Sequence, residues 1–160
     1  MENDFLYEME YPGLTGRLKR LSDLFIYQTK QFYRDHDLDI EPNWHPIFEL
    51  LKKHERLTIT EIATYLHFTH PAIVKLIDKM KAHGYIKSIR DKTDKRKFQL
   101  ELSEKARSKM PLLETYWAAG NLALEQMLEF DDSLLQQMKV LESNMSSREF
   151  NRRMEDNLKN

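Results

Sequence analysis

The chain has 160 residues, 41% of them hydrophobic and 32% charged, which excludes a wholly disordered protein and fits a helical one. No apolar run approaches the length of a membrane span, and the acidic start lacks the pattern of a secretory signal. We therefore expect a cytoplasmic protein with no membrane partner. The lack of cysteine excludes disulfides, thiolate metal sites and cysteine nucleophiles.

Positive charge is concentrated in the middle of the chain, although the formal net charge is −1. Residues 52–109 carry 15 Lys and Arg against 7 Asp and Glu, a net charge of +8. Residues 1–51 and 110–160 have net charges of −5 and −4. A basic segment between acidic flanks indicates that one surface of the protein meets a polyanion such as nucleic acid.

Two helices are predicted in residues 14–54, which we interpret as a scaffold that a partner subunit shares. The first spans about 14–34, where apolar residues recur at helical spacing: Leu14, Leu18, Leu21, Phe25 and Phe32. Residues 35–41 are an acidic loop, interpreted as a solvated connection. The second helix begins near Pro42 and Pro46, whose missing amide donors cost little in a first turn.

A helix-turn-helix is predicted at the start of residues 55–103. Thr58 and Glu61 have the spacing of a capping box, which begins a short helix. After a turn, Thr69 suits the N-cap of the next helix and Pro71 suits its first turn. Two short helices in this arrangement are typical of proteins that bind duplex DNA.

The second of these helices, about 70–83, is the one expected to enter the major groove. Its buried stripe is predicted to consist of Ile73, Leu76, Ile77 and Met80. The residues predicted to contact DNA from this helix and its cap are Thr69, His70, Pro71, Val74, Lys75 and Lys79. Lys75 offers donors to base acceptors and Val74 suits a thymine methyl, whereas Lys79 is better placed for phosphate.

A β-hairpin is predicted to follow, because Gly84 ends the helix and two strands come after it, at 85–90 and 97–102. In the second strand, alternation predicts three inward residues: Phe98, Leu100 and Leu102. The turn between the strands is strongly basic and is predicted to contact phosphate or enter the minor groove through Lys92, Lys95 and Arg96. The alternative is an ordinary solvated hairpin tip.

Residues 104–160 are predicted to form C-terminal dimerisation helices. Ser103 caps a helix of about 104–128, Asp131 caps a last helix, and the polar tail from Ser146 is expected to fray. The predicted fold class is mainly α with a small β-hairpin wing (α+β). It is a winged helix-turn-helix with long N- and C-terminal helices, in a single domain of 1–160.

Five short motifs follow one another along the central segment. They are Leu57-Thr58 with Glu61-Ile62-Ala63 and Leu66, then Lys75-Leu76-Ile77-Asp78-Lys79-Met80, Gly84-Tyr85-Ile86, Asp94-Lys95-Arg96, and Leu102-Ser103. Together they resemble the MarR family of bacterial winged-helix transcription regulators. The resemblance implies a homodimer that binds a pseudo-palindromic operator in double-stranded DNA and usually represses. It also implies that Arg96 enters the minor groove and that Asp94 structures the wing.

The resemblance further implies a small aromatic or acidic effector that modulates DNA binding. Candidate pocket residues are the aromatic side chains Trp44, Tyr65, Tyr116 and Trp117, each of which is equally typical of a hydrophobic core. Lys75 stands where the family commonly has arginine, so the planar fork that contacts a base in two places is lost.

Three other hypotheses about function are alternatives to a ligand-responsive repressor. A metal-responsive regulator of the same fold would use His36, His45 and His54, which are weak metal candidates. A helical interaction module that has lost DNA binding is a second alternative. A hydrolase using His67 and His70 lacks a placed nucleophile or third partner, so we expect neither an enzyme nor a cofactor.

Overall fold

The computed structural model describes residues 4–90 and 98–159. In those residues it contains eight α-helices, one 3₁₀ turn and a two-stranded antiparallel sheet. The α-helices are α1 Phe5–Glu8, α2 Leu14–Asp35, α3 His45–His54, α4 Ile59–Leu66, α5 His70–Ala82, α6 Glu104–Met127, α7 Ser133–Ser147 and α8 Phe150–Asn157. The 3₁₀ turn is Pro42–Trp44, and the strands are β1 Ile86–Arg90 and β2 Phe98–Leu102.

The predicted fold class is confirmed by this arrangement, in which α4, α5 and the hairpin form a winged helix-turn-helix. The chain divides into two compact units, residues 1–109 and 110–160. None of the described helices is long and apolar enough to cross a membrane.

The core of the first unit lies between the helix-turn-helix, α3 and the hairpin. Its fully buried large side chains are Trp44, Ile47, Phe48, Leu51, Ile62, Ile73, Ile77, Met80, Tyr85 and Leu100. Burying large apolar side chains is the main favourable term in folding, so this core fixes the position of α5 on the scaffold.

Helix α4 begins with the capping box predicted from sequence. The Thr58 hydroxyl accepts the Glu61 amide at 3.2 Å, and the Glu61 carboxylate accepts the Thr58 amide at 2.7 Å. The helix ends at His67, which adopts left-handed backbone angles with φ 52°. This conformation lets the Phe68 amide donate to the Ala63 carbonyl and turns the chain toward α5.

Helix α2 exposes the apolar stripe predicted from its sequence. Of its 22 residues only Tyr33 is buried, and five apolar side chains are at least one-third exposed: Leu14, Leu18, Leu21, Phe25 and Phe32. The helix therefore presents an apolar face to solvent in the isolated chain.

Two predictions in the flanking segments are wrong. The tail from Ser146 does not simply fray, because α8 forms over Phe150–Asn157 and Arg153 donates to the Asn144 carbonyl at 2.7 Å. The acidic loop at 35–41 is not merely solvated, because Leu38 and Ile40 are buried and Asp39 binds three donors.

Candidate nucleic-acid interface

Helix α5 has a buried side and an exposed side, as expected of a recognition helix, and we use that name for it below. Ile73, Ile77 and Met80 are fully buried, whereas Leu76 is half-buried. Thr69 occupies the N-cap position with extended backbone angles, but its side chain makes no capping hydrogen bond. The start of the helix is therefore set by backbone geometry and by Pro71 in the first turn.

The C-terminal end of the recognition helix is closed by a Schellman motif. Gly84 has φ +74°, and its amide donates to the Lys81 carbonyl at 2.8 Å. The Tyr85 amide donates to the Met80 carbonyl at 2.9 Å. A left-handed residue at this position favours glycine, as the sequence predicted.

The exposed side of the recognition helix carries most of the predicted contacts. Thr69, His70, Pro71, Lys75 and Lys79 are exposed, whereas Val74 is half-buried. Within residues 4–90 and 98–159, neither Lys75 nor Lys79 takes part in an ion pair. Their ammonium groups are therefore available to a polyanion.

Two residues beside this surface were missed by the sequence analysis. A shallow depression next to the recognition helix is lined by Asn43, Phe68, Ala72, Lys75, Leu76 and Lys79. Asn43 comes from the 3₁₀ turn and Phe68 from the turn before the recognition helix, and both are exposed. An exposed aromatic in a turn was a usable signal for Phe68, whereas nothing local marks Asn43.

The wing is joined to the helix-turn-helix by backbone hydrogen bonds. β1 and β2 pair in antiparallel register, from Ile86 opposite Leu102 to Arg90 opposite Phe98. Leu57, just before α4, also pairs with Leu100, with N–O distances of 3.2 and 2.7 Å. The predicted tip residues Lys92, Asp94, Lys95 and Arg96 lie outside the described residues.

Glu101 is a buried carboxylate at the root of the wing. Its carboxylate oxygens lie 2.8 Å from Lys87 Nζ and 2.9 Å from Arg56 Nε. Hydrogen bonds from Lys87 and then Arg56 lower the pKa of Glu101. The side chain thus links β2 to β1 and to the segment before α4.

The inward orientation predicted for Phe98 is wrong. Leu100 and Leu102 are buried, but Phe98 is 54% exposed and lies 5.9 Å from the Arg90 guanidinium. Alternation in β2 is broken because Glu101 is buried beside Leu100 and Leu102. A salt bridge to two cations makes that burial possible.

The four aromatic residues predicted for an effector pocket belong to two different units of the chain. Trp44 is fully buried, and its ring lies 5.1 Å from His83 and 6.0 Å from Tyr85. Tyr65 is half-exposed and stacks on His54 at 4.9 Å. Tyr116 and Trp117 belong to the second unit, so the pocket stays a prediction.

The three histidines considered as metal ligands each have a local neighbour. His36 Nδ1 lies 2.8 Å from the Phe32 carbonyl oxygen, His45 lies 4.0 Å from Glu49, and His54 stacks on Tyr65. In the part of the chain that the structure describes, no group of three or more His, Asp or Glu side chains is arranged to hold a metal ion.

Residues 38–97 match the sequence model of the MarR family. This match confirms the resemblance drawn from the central motifs, and MarR-family proteins are transcription factors rather than enzymes. No curated protein matches the chain.

Several solved structures share the fold. The transcriptional regulator BldR from Sulfolobus solfataricus is 23% identical with a TM-score of 0.60, covering 87% of this chain and 96% of that one. MepR from S. aureus, in complex with DNA, is 19% identical with a TM-score of 0.65, covering 84% and 96%. The repressor CouR, bound to a 23-mer DNA duplex, is 23% identical with a TM-score of 0.66, covering 78% and 89%. The family match over residues 38–97 supports a DNA-binding transcriptional regulator.

Proposed function

We propose that the protein is a homodimeric repressor that binds a pseudo-palindromic operator, because residues 38–97 match the sequence model of the MarR family. The observation that carries the proposal is the recognition helix, whose exposed side offers two lysines that have no ion-pair partner among residues 4–90 and 98–159. A small aromatic or acidic effector that modulates binding completes the proposal and rests on the family resemblance.

DNA is the partner that best fits the charge and shape of this surface. The basic segment has a net charge of +8, while both flanks are acidic. Lysines on one face of a short helix neutralise phosphates and release counterions, which gives salt-dependent affinity. Arg96 at the wing adds a minor-groove contact, as the family resemblance implies. Two structures with this fold, MepR and CouR, are themselves DNA complexes.

Base reading by this recognition helix relies on few donors. Lys75 is the strongest donor on its exposed side, and Pro71 and Val74 beside it offer only apolar contact. Lys75 lacks the planar fork that arginine uses for bidentate contact with guanine. We therefore expect the wing and the phosphate contacts to supply much of the affinity.

A second copy of the chain is the proposed partner of the apolar face of α2. That face is continuous over Leu14, Leu18, Leu21 and Phe25, each at least 40% exposed. Exposed apolar stripes of this length on a water-facing helix mark interaction surfaces. A two-fold dimer would present two recognition helices to half-sites about one helical turn of DNA apart.

The DNA-binding proposal is tested by titrating the purified protein with a labelled duplex from upstream of its own coding region, at several salt concentrations. Lys79→Ala should reduce the slope of log affinity against log salt by about 0.9, the value for one phosphate contact. Arg96→Ala should weaken binding by about 10- to 100-fold, as expected for loss of a groove-reading arginine. Lys139 is an exposed lysine of α7, so Lys139→Ala is the matched control and should change neither the affinity nor the salt slope.

The dimer is tested by sedimentation. The wild-type protein should sediment at twice the chain mass of 19.3 kDa. Leu21→Asp should shift it toward the monomer, because a buried charge in the apolar face would be unpaired. Tyr27 lies on the opposite side of α2, so Tyr27→Asp is the matched control. A protein that binds no duplex from the upstream region at low salt would refute the repressor proposal, and a monomeric wild type would refute the dimer.

A further inference from the structure

Asp39 is the centre of a four-residue cluster that joins three parts of the first unit. Its Oδ2 lies 2.6 Å from Lys105 Nζ and its Oδ1 lies 3.1 Å from Lys109 Nζ. Oδ1 also accepts a hydrogen bond from the Tyr85 hydroxyl. Asp39 lies between α2 and the 3₁₀ turn, Tyr85 precedes β1, and both lysines are on α6. We call these four residues the Asp39 cluster.

The cluster is connected directly to the C-terminal end of the recognition helix. Lys105 Nζ, besides binding Asp39, donates to the His83 carbonyl at 2.7 Å, and His83 is the C-cap residue. Lys105 Nζ also lies 4.2 Å from the centre of the Tyr85 ring, a cation–π contact. The Tyr85 amide closes the Schellman motif on Met80. Two hydrogen bonds thus hold the end of the recognition helix. One is accepted by the His83 carbonyl and the other is donated by the Tyr85 amide.

The same residues fix the start of the wing. Tyr85 is fully buried, packs edge-on against Phe48 at 5.4 Å, and leads directly into β1. The Ser103 hydroxyl donates to the Gly84 carbonyl at 2.6 Å and joins the end of β2 to this point. Because the recognition helix and the wing meet at residues 83–86, a contact that orients Tyr85 orients both elements.

The pKa shifts of Asp39 and Tyr85 favour the protonation states that these hydrogen bonds and ion pairs need at neutral pH. Partial burial raises the pKa of Asp39, but the hydrogen bonds from the two lysines and the tyrosine outweigh it, so its pKa lies well below the usual value. Burial and the neighbouring carboxylate both raise the pKa of Tyr85. At neutral pH the carboxylate is charged and the hydroxyl keeps the proton that it donates.

The cluster also removes two lysines from the charge available to a polyanion. Lys105 and Lys109 count toward the basic segment, yet both are paired with Asp39. Lys75 and Lys79, on the recognition helix, are unpaired among the described residues. Among the described residues, Asp39 therefore pairs with lysines of α6 and with neither lysine of the recognition helix.

We propose that Asp39 is a positioning residue for DNA binding, which sets the angle between the recognition helix and the wing by binding Tyr85, Lys105 and Lys109. This inference rests on the proposed DNA-binding function. It assigns a role in operator recognition to a residue outside the predicted DNA contacts.

The test is the ratio of affinity for the operator to affinity for a nonspecific duplex of equal length. Asp39→Asn should lower this ratio by about 3- to 30-fold, the range seen when a residue outside the contact surface alters coupling. Asp37→Asn is the matched control, because Asp37 is exposed in the same loop and the substitution changes net charge equally. Its ratio should equal that of the wild type.

Two further variants separate positioning from loss of folding. Tyr85→Phe removes the hydroxyl but keeps the buried ring, and it should lower the ratio in the same direction by a smaller factor. Asp39→Glu retains a carboxylate and should restore part of the ratio lost in Asp39→Asn. Thermal unfolding of each variant defines a temperature at which all are folded, and the ratio is measured there.

The outcomes distinguish this inference from the proposed function. Wild-type binding together with equal ratios for Asp39→Asn and Asp37→Asn would overturn the positioning role and leave the repressor proposal standing. If the wild-type protein binds no duplex, the proposed function fails and the positioning role fails with it.

Discussion

Truncation of Ile77 to alanine should separate the stability of the recognition helix from its affinity for DNA. Ile77 is fully buried, and only Ile73 and Met80 share its side of the helix at full burial. The substitution removes three carbon atoms, worth about 2.4 kcal/mol at about 0.8 kcal/mol for each buried CH₂ group. A residual cavity adds about 1 kcal/mol, so the free energy of unfolding should fall by about 3–4 kcal/mol.

The assay is urea unfolding followed by circular dichroism, with affinity for the operator duplex measured in parallel. Ile77→Val, which removes a single methylene, should cost about 0.5–1.5 kcal/mol. Lys79→Ala on the exposed side of the same helix should change the unfolding free energy by less than about 0.5 kcal/mol. That variant should nevertheless weaken DNA binding, because it removes an exposed ammonium group that is predicted to contact phosphate.

A loss below about 1 kcal/mol for Ile77→Ala would refute this reasoning, since even partial relaxation leaves most of the transfer term in place. The opposite pattern, a stable Ile77→Ala and a destabilised Lys79→Ala, would mean that the buried and exposed sides of the helix are exchanged. The DNA-contact surface would then have to be reassigned.

Two further predictions concern the ends of helices and the root of the wing. Thr58→Ala should lower the free energy of unfolding in urea by about 0.5–2 kcal/mol, because it breaks the capping box. Thr69→Ala should lower it by less, because the Thr69 side chain makes no capping hydrogen bond. Equal losses for the two variants would contradict this. Glu101, whose pKa is lowered from 4.5 by Lys87 and then Arg56, contributes stability that is present above that pH and lost as the pH falls below it. Glu101→Gln should therefore flatten the acid limb of a stability-versus-pH curve, and an unchanged limb would show that the ion pairs contribute nothing.

The features that depend on local contacts were predicted correctly from the sequence. The capping box at Thr58, the glycine at residue 84 and the apolar stripe of the recognition helix are all encoded within a few residues. Such signals depend mainly on the local geometry of helix ends and helix faces. They were sufficient to predict the winged helix-turn-helix and the exposed positions of Lys75 and Lys79.

Errors arose where a distant partner overrides the local pattern. Strict alternation predicted residue 101 to point outward, but Glu101 is buried and forms ion pairs with Lys87 and with Arg56, which is 45 residues away. Phe98, at the far end of β2 opposite Arg90, is exposed although Leu100 and Leu102 are buried. Asp39 was grouped with an acidic loop, although its partners lie 46 to 70 residues further along the chain. No periodicity in the sequence reports such pairings.

The last helix of the C-terminal region, α8, was missed for a different reason. Its residues are mostly polar, which favoured an unstructured tail, yet Phe150, Met154 and Leu158 recur at four-residue spacing. That signal was available locally and was outweighed by composition.

The pairing of Leu57 with Leu100 affects how this protein can diverge during evolution. Main-chain hydrogen bonds hold the root of the hairpin, and they persist whatever side chains occupy the residues between the two strands. We therefore expect substitutions at 91–97 to leave the helix-turn-helix folded while they change the residues that are predicted to contact DNA. If the proposed wing contacts hold, the DNA preference of this protein can change by single substitutions that leave the Leu57–Leu100 pairing in place.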